Sequence, residues 1–264
     1  MLVAVRRDGE AMFVSTEAYD QHVGRYGPAL SRAHIAAVDI GKGSRALDVG
    51  CGPGPLTKAL AETLGPERVA AVDPSEPFVD VCRRRVPGAD VRVGTAERLP
   101  DFGVAFDVVM SQLVVNFMTD TAAGVHAMRA AARPGGLVSS CVWDYADAMT
   151  MLRIFWDAAL ELDPDAPDEG RTMHYCSRSE LRELWEHCGL RDVETGELVV
   201  EASYVGFEDY WRPFPTGLAP SGAYCASLDP PTQEALRESC FRRLGEPSGA
   251  FTLTARAWLV LGRT

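Results

Sequence analysis

Along the middle of the chain, short apolar runs alternate with segments whose apolar positions recur at helical spacing, and glycine or proline separates each from the next. Arg45 to Val49 reads as a strand, and Leu56 to Leu64 as a helix that Gly65-Pro66 stops. A second strand, Arg68 to Val72, ends in Asp73-Pro74-Ser75, and a helix over about Glu76 to Arg85 ends before Pro87-Gly88. Asp90–Val93 and Phe106–Met110 are the third and fourth strands, a helix runs from about Thr121 to Ala132, and Pro134-Gly135-Gly136 turns into a fifth strand, Leu137 to Trp143. Such alternation predicts an α/β, doubly wound sheet. Further on, helices are expected over Met149–Leu162 and Ser179–Cys188, around a loop Asp163–Gly170, with strands at Val193–Val205 and Thr252–Leu261. The segments 145–177 and 206–248 interrupt this count. Both leave from the carboxyl ends of strands, where open α/β sheets bind ligands, so both are candidate caps.

The stretch Ala46 to Gly54 carries the most chemistry. Its apolar run closes on Asp48 and Val49, and then Gly50, Gly52 and Gly54 alternate around Cys51 and Pro53 before a helix begins. A tight turn of this kind lets backbone N–H groups and a helix N-terminus approach a nucleotide-like ligand closely. A dinucleotide fingerprint needs a third glycine at position 55, which is Pro55, and no Lys-Ser/Thr pair follows for a Walker loop. Asp73, 23 residues after Gly50 at the end of the second strand, is placed to accept the hydroxyls of a ribose.

With these glycines, Asp48-Val49-Gly50-Cys51-Gly52-Pro53-Gly54 resembles motif I of the class I methyltransferases that use S-adenosyl-L-methionine (SAM). Gly94-Thr95-Ala96-Glu97-Arg98-Leu99-Pro100 resembles the G-D-A-x-x-L-P segment of the methyltransferase type 11, UbiE-like small-molecule group, with Thr95 where Asp is common. Phe106 to Ser111 and Arg133-Pro134-Gly135-Gly136 match further segments in order, so the likeness spans residues 45–143. Tyr19-Asp20 and Gly24-Arg25-Tyr26 resemble the group's N-terminal segment. The resemblance implies one methyltransferase domain over 1–264, a Rossmann-like seven-stranded sheet with its last strand antiparallel, a SAM-binding core at 45–143 and cap elements at 1–35, 145–177 and 206–248. It implies SAM as cofactor and S-adenosyl-L-homocysteine as product. Expected cofactor contacts are Tyr19, Arg25 (on the carboxylate), Asp48, Gly50, Cys51, Gly52, Gly54, Asp73, Pro74, Ser75, Thr95, Ala96 and Glu97 (near the adenine), and Ser111. For Arg25 a surface position and for Glu97 a solvated acid are the alternatives.

A formal net charge of -11, with no basic cluster beyond Arg83-Arg84-Arg85, argues against nucleic acid as substrate. Seven cysteines without a C-x-x-C, and no clustered His, Asp or Glu at ligand spacing, indicate neither a disulfide framework nor a metal. No apolar run approaches membrane-spanning or signal-peptide length, so the protein is expected to be cytoplasmic and free of membranes, of unspecified oligomeric state. No N-P-P-Y/F follows the fourth strand, which disfavours adenine and glutamine amides as acceptors. Asp144 and Tyr145, just beyond the fifth strand, and His174, in the first cap, are the candidates for acid–base work. His22, His34, His126 and His187 fall in helical patterns and read as packing or surface residues. The aromatic Phe155, Trp156, Tyr210, Trp211 and Phe214 are expected beside an apolar substrate site. The reading is SAM-dependent methyl transfer to a small molecule held beneath the caps. The alternatives are a carbon methyltransferase acting on a quinone-like ring and a SAM-binding protein without turnover.

Overall fold

The computed structural model of the protein describes Val3–Val5, Ala11–Phe13 and residues 22–264. Strands β1 (Val3–Val5) and β2 (Ala11–Phe13) pair antiparallel with each other. The other seven strands form one sheet: β3 (Ala46–Val49), β4 (Val69–Asp73), β5 (Asp90–Val93), β6 (Phe106–Gln112), β7 (Ala132–Trp143), β8 (Arg191–Tyr204) and β9 (Phe251–Arg263). Their order is β5-β4-β3-β6-β7-β9-β8. From β5 to β7 every neighbouring pair is parallel, and β9 runs antiparallel to both β7 and β8. The seven-stranded sheet with an antiparallel last strand is therefore present as expected.

The helices are α1 (Gly27–Val38), α2 (Pro55–Leu64), α3 (Glu76–Arg85), α4 (Thr121–Ala131), α5 (Thr150–Leu162), α6 (Glu169–Thr172), α7 (Arg178–His187), α8 (Phe207–Trp211), α9 (Ala219–Ser227) and α10 (Pro230–Arg243). Strands β3 and β4 are buried at every residue, because helices cover both faces of a parallel sheet and leave no polar side. Helix α2 buries Leu56, Ala59, Leu60 and Leu64, the i, i+3/i+4 stripe that the sequence pattern shows. Helix α3 starts where the Ser75 hydroxyl accepts the Phe78 N–H at 3.4 Å and ends on Arg83, Arg84 and Arg85, cations that suit the negative end of its dipole. On the outer strand β8 burial alternates, with Leu198, Val200, Ala202 and Tyr204 inward and their neighbours outward, as one covered face requires.

Two elements depart from the sequence reading. Strand β7 begins at Ala132, before the expected turn, because the turn Arg133 to Gly136 is taken up as an irregularity between the pairs Phe106↔Ala132 and Val108↔Leu137. Gly135 at φ +73° bends the strand there, and the Arg133 guanidinium bonds the Asp107 carboxylate at 2.5 Å. The segment 206–248, to which the sequence reading assigned no elements, holds three helices, α8, α9 and α10. Its Tyr210 and Phe214 join Phe155 and Trp156 of α5 in a fully buried cluster, with Phe155 stacked on Phe214 at 4.4 Å between centroids. These aromatic residues pack α5 against the segment 206–248, so their first role is packing. No helix among the described residues is long and apolar enough to cross a membrane.

Candidate functional site

The turn from β3 into α2 is built around three glycines with positive φ: Gly50 at +76°, Gly52 at +53° and Gly54 at +93°. A Cβ on Gly50 would sit 2.5 Å from Val114 Cγ2, and one on Gly54 2.7 Å from Cys82 Sγ, so both positions exclude side chains on two counts. The N–H groups of Gly50 and Cys51 both bond the Val72 carbonyl, at 2.7 and 3.0 Å, which ties the turn to β4. Over this turn opens a cavity of about 450 Å³. Its walls come from the turn 23–25, the start of α1, Asp48, the glycine loop and the segment 112–114.

Two carboxylates border the loop. Asp48 is buried; its Oδ2 accepts the Thr57 hydroxyl at 2.6 Å, while its Oδ1 has no partner. Burial pushes its pKa up to about 7, opposed by the Thr57 bond. An unpaired buried acceptor on a cavity wall suits a cationic group of a ligand. At the end of β4, Asp73 accepts the Gly52 N–H on Oδ2 and the Ser75 N–H on Oδ1, each at 2.8 Å. Burial raises its pKa and the two N–H bonds pull it back. Those bonds fix the carboxylate beside the loop, and each oxygen keeps a second lone pair for a ligand hydroxyl.

The structure places the other expected cofactor contacts as follows. Arg25 lines the cavity, but its guanidinium also makes an ion pair with Asp209 of α8 (3.1 Å), bonds the Ser203 and Asp209 carbonyls, and lies 4.1 Å over the Tyr204 ring. Cys51 is buried in the loop, Ser75 caps α3, and Pro74 is exposed. Thr95 is exposed, Ala96 is buried, and Glu97 accepts the N–H groups of Thr119 and Asp120 at 2.9 and 3.3 Å. The Ser111 hydroxyl is buried in the sheet, donating to Ser140 Oγ at 2.9 Å. Tyr19 lies outside the described residues. None of the three acid–base candidates lines the cavity. Asp144 is paired with Arg256 at 2.6 Å, Tyr145 is buried with its carbonyl accepting from Arg153, and His174 is exposed. No group of three or more His, Cys, Asp or Glu that could hold a metal ion occurs among the described residues.

Sequence reasoning passed over three residues of this region and took His22 for a packing or surface residue of a helix. Gln112, Leu113 and Val114 form the wall opposite the glycine loop, and Leu113 holds φ +63°, unusual for a bulky side chain. His22 lies before a 3₁₀ turn (Val23–Tyr26), fully buried, with no partner on either ring nitrogen. Burial and the nearby Arg25 charge lower its pKa to about 3 and keep it neutral. Gly24, and Gly27-Pro28 after it, were the available signal that this segment turns rather than continues a helix. The remaining histidines are as read: His34 packs inside on Ser139 Oγ (2.9 Å), and His126 and His187 are exposed.

A mostly parallel sheet with this strand order, a glycine turn at its middle strand and an acid closing the next strand define a nucleoside-binding α/β protein. Residues 46–136 match the family model described as "Methyltransferase domain". Among curated relatives, the ubiquinone biosynthesis O-methyltransferase of Methylocella silvestris is 39% identical over 101 residues, 37% of this chain and 39% of that protein. A Mycobacterium ulcerans protein named as phthiotriol/phenolphthiotriol dimycocerosates methyltransferase 2 is 30% identical over 156 residues, 56% of each chain. The chain thus spans 39% and 56% of the length of these two relatives. A solved structure of a candidate type II methyltransferase from Anaeromyxobacter dehalogenans shares the fold, with a TM-score of 0.65 at 22% identity over 90% of this chain and 96% of that one. Residues 46–136 thus match a methyltransferase domain, and the chain shares the fold of a solved methyltransferase structure.

Proposed function

We propose that the protein transfers the methyl group of SAM to a small-molecule acceptor. The observation that carries this reading is the glycine turn with its two carboxylates, seated inside a stretch that matches the methyltransferase domain model. The residues present fit the cofactor. Asp48 Oδ1, buried and without a partner, is suited to the ammonium of its methionine half. Asp73 is held ready for the ribose hydroxyls, and Gly52, with nothing within 4 Å of a Cβ, leaves the loop face open to the ligand. When bound, SAM supplies an electrophilic sulfonium methyl, so the protein has to position an acceptor in line and exclude water. No metal is needed for that displacement. We assign the segments 145–177 and 206–248, which carry α5 to α6 and α8 to α10, to the acceptor end, and the negative net charge disfavours polyanionic acceptors.

Calorimetry with S-adenosylhomocysteine tests this directly. The wild-type protein should bind it, and Asp73→Ala should weaken binding at least tenfold, since a hydrogen bond to a charged group is worth about 1.5–3 kcal/mol. Equal affinity in a folded Asp73→Ala protein would refute the assignment of the ribose contact. Absence of S-adenosylhomocysteine binding by the wild type would refute the function.

A further inference from the structure

Asp48 and Gln112 each carry one buried oxygen without a hydrogen-bond partner, Oδ1 and Oε1, and both residues line the cavity over the glycine turn. The pairing of the strands brings them together. β3 and β6 are parallel neighbours in which Asp48 stands opposite Met110. Paired residues of a parallel sheet point to one face, and Gln112, two residues beyond Met110 on β6, points there too. With strands about 4.8 Å apart and a rise of about 3.3 Å per residue, the two Cα atoms stand about 8 Å apart.

The helices that cover this face agree. The Thr57 hydroxyl of α2 donates to Asp48 Oδ2 at 2.6 Å, and Gln112 Nε2 donates to the Ser31 hydroxyl of α1 at 3.1 Å. The starts of the two helices adjoin, since a Cβ on Gly27 would lie 3.4 Å from Pro55 Cβ. These bonds also settle which atoms are left over. The Ser31 hydroxyl commits its proton to the Gly27 carbonyl at 2.9 Å, so toward Gln112 it can only accept. The Gln112 amide therefore turns its NH2 to Ser31, and its carbonyl is the end without a partner. Leu113, the next residue, holds φ +63°, so the wall that carries Gln112 is kept in a strained form.

Resting on the methyl-transfer reading for the identity of the ligand, we propose that Gln112 is a cofactor-binding residue, whose Oε1 joins Asp48 Oδ1 in holding the ammonium of the methionine half. An ammonium brings three N–H donors and no acceptor, which matches two acceptors on one face of one cavity. The carboxylate supplies the opposite charge, and the amide oxygen fixes a second direction for the nitrogen. A buried acceptor left without a donor is costly, and a ligand that lacks the amino group leaves both in that state. Arg25, Lys58 and Arg85 line the same cavity, so the carboxylate next to that nitrogen meets positive charge as well. Gln112 thereby makes the site discriminate between ligands that share the adenosine half and differ only in the amino group.

The test titrates two probes by calorimetry, S-adenosylhomocysteine and its analogue with hydrogen in place of the amino group. The wild type should bind S-adenosylhomocysteine at least about tenfold more tightly than the analogue. Gln112→Met keeps the length of the side chain and removes the carbonyl. It should cut that preference at least about fivefold by weakening S-adenosylhomocysteine, with the analogue bound within about twofold of wild type. Gln112→Glu, which keeps an acceptor, should retain the preference. A wild type that binds both probes alike, an undiminished preference in Gln112→Met, or equal weakening of both probes overturns the proposal. Should Gln112→Met not fold, a crystal structure of the wild type with S-adenosylhomocysteine decides. The amino nitrogen must lie within about 3.2 Å of Gln112 Oε1, and a nitrogen more than about 4 Å away overturns the assignment. Failure of the wild type to bind S-adenosylhomocysteine at all would strike the methyl-transfer reading, and this assignment with it.

Discussion

Gly50 illustrates how much of the site depends on single residues. Alanine there combines a left-handed backbone with a Cβ 2.5 Å from Val114 Cγ2. Left-handed strain costs about 1–2 kcal/mol and overpacking about 1–3 kcal/mol. Gly50→Ala should therefore lower the midpoint of urea unfolding, and adding Val114→Ala should restore the packing part alone, leaving the backbone strain. Asp48 gives a pH signature. Its carboxyl titrates near 7 in the folded protein, whereas unfolded Asp titrates at about 3.9. Between those values the unfolded chain loses the proton first, so this group makes stability fall as pH rises from about 4 to about 7 and adds no slope beyond. Asp48→Asn removes that loss. Urea titrations of cofactor-free protein at about pH 4 and about pH 8 should show the variant gaining on wild type at the higher pH, and a constant difference would contradict the raised pKa. The glycines, Asp48 and Asp73 were legible in the sequence because turn geometry and strand ends are local. The pairing of Arg25 with Asp209, 184 residues away, and the isolation of His22 inside the rings were not, because only the tertiary arrangement makes them.

At the level of elements, the Arg25–Asp209 pair fastens the turn before α1, which lines the cavity, to α8. The pair is mostly buried, with side-chain exposures of 12% and 24%, and it holds the Asp209 carboxyl below the usual range. Arg25→Ala and Asp209→Ala combined in a double-mutant cycle should show coupling of about 1 kcal/mol in unfolding free energy, at the upper end of exposed pairs. Additive effects would mean that the two elements are held by packing alone. Helices α2, α3 and α4 could be placed from the sequence to within a residue or so, since apolar stripes, capping residues and proline stops agreed there. The start of β7 could not, because Pro134-Gly135-Gly136 serves equally as a turn or as a bulged strand, and pairing with β6 decides. The helices of 206–248 were hidden for another reason. Their apolar residues face several partners at once, so α10, with Leu236 and Cys240 buried among charged neighbours, shows little periodicity.

For the molecule as a whole, the sheet order β5-β4-β3-β6-β7-β9-β8 could be expected only through the family resemblance, since hydrophobic runs do not say which strands become neighbours. The insertion of β9 between β7 and β8 has a consequence for biosynthesis. Strands β3 to β7 can assemble as they leave the ribosome, each beside one already made, but β8 has no sheet partner until residues 251–263 appear. During that interval the edge of β7 presents unpaired N–H and C=O groups over a long, mostly buried strand, the kind of edge that recruits other chains. Chains halted before residue 251 should therefore aggregate or hold to chaperones. Ribosome-bound chains stalled before and after β9 emerges, probed by limited proteolysis, should differ abruptly in resistance, with protection of β7 and β8 arriving together. Until residues 251–263 emerge, the nascent chain thus holds a nearly finished sheet that is split in two, and β9 closes it.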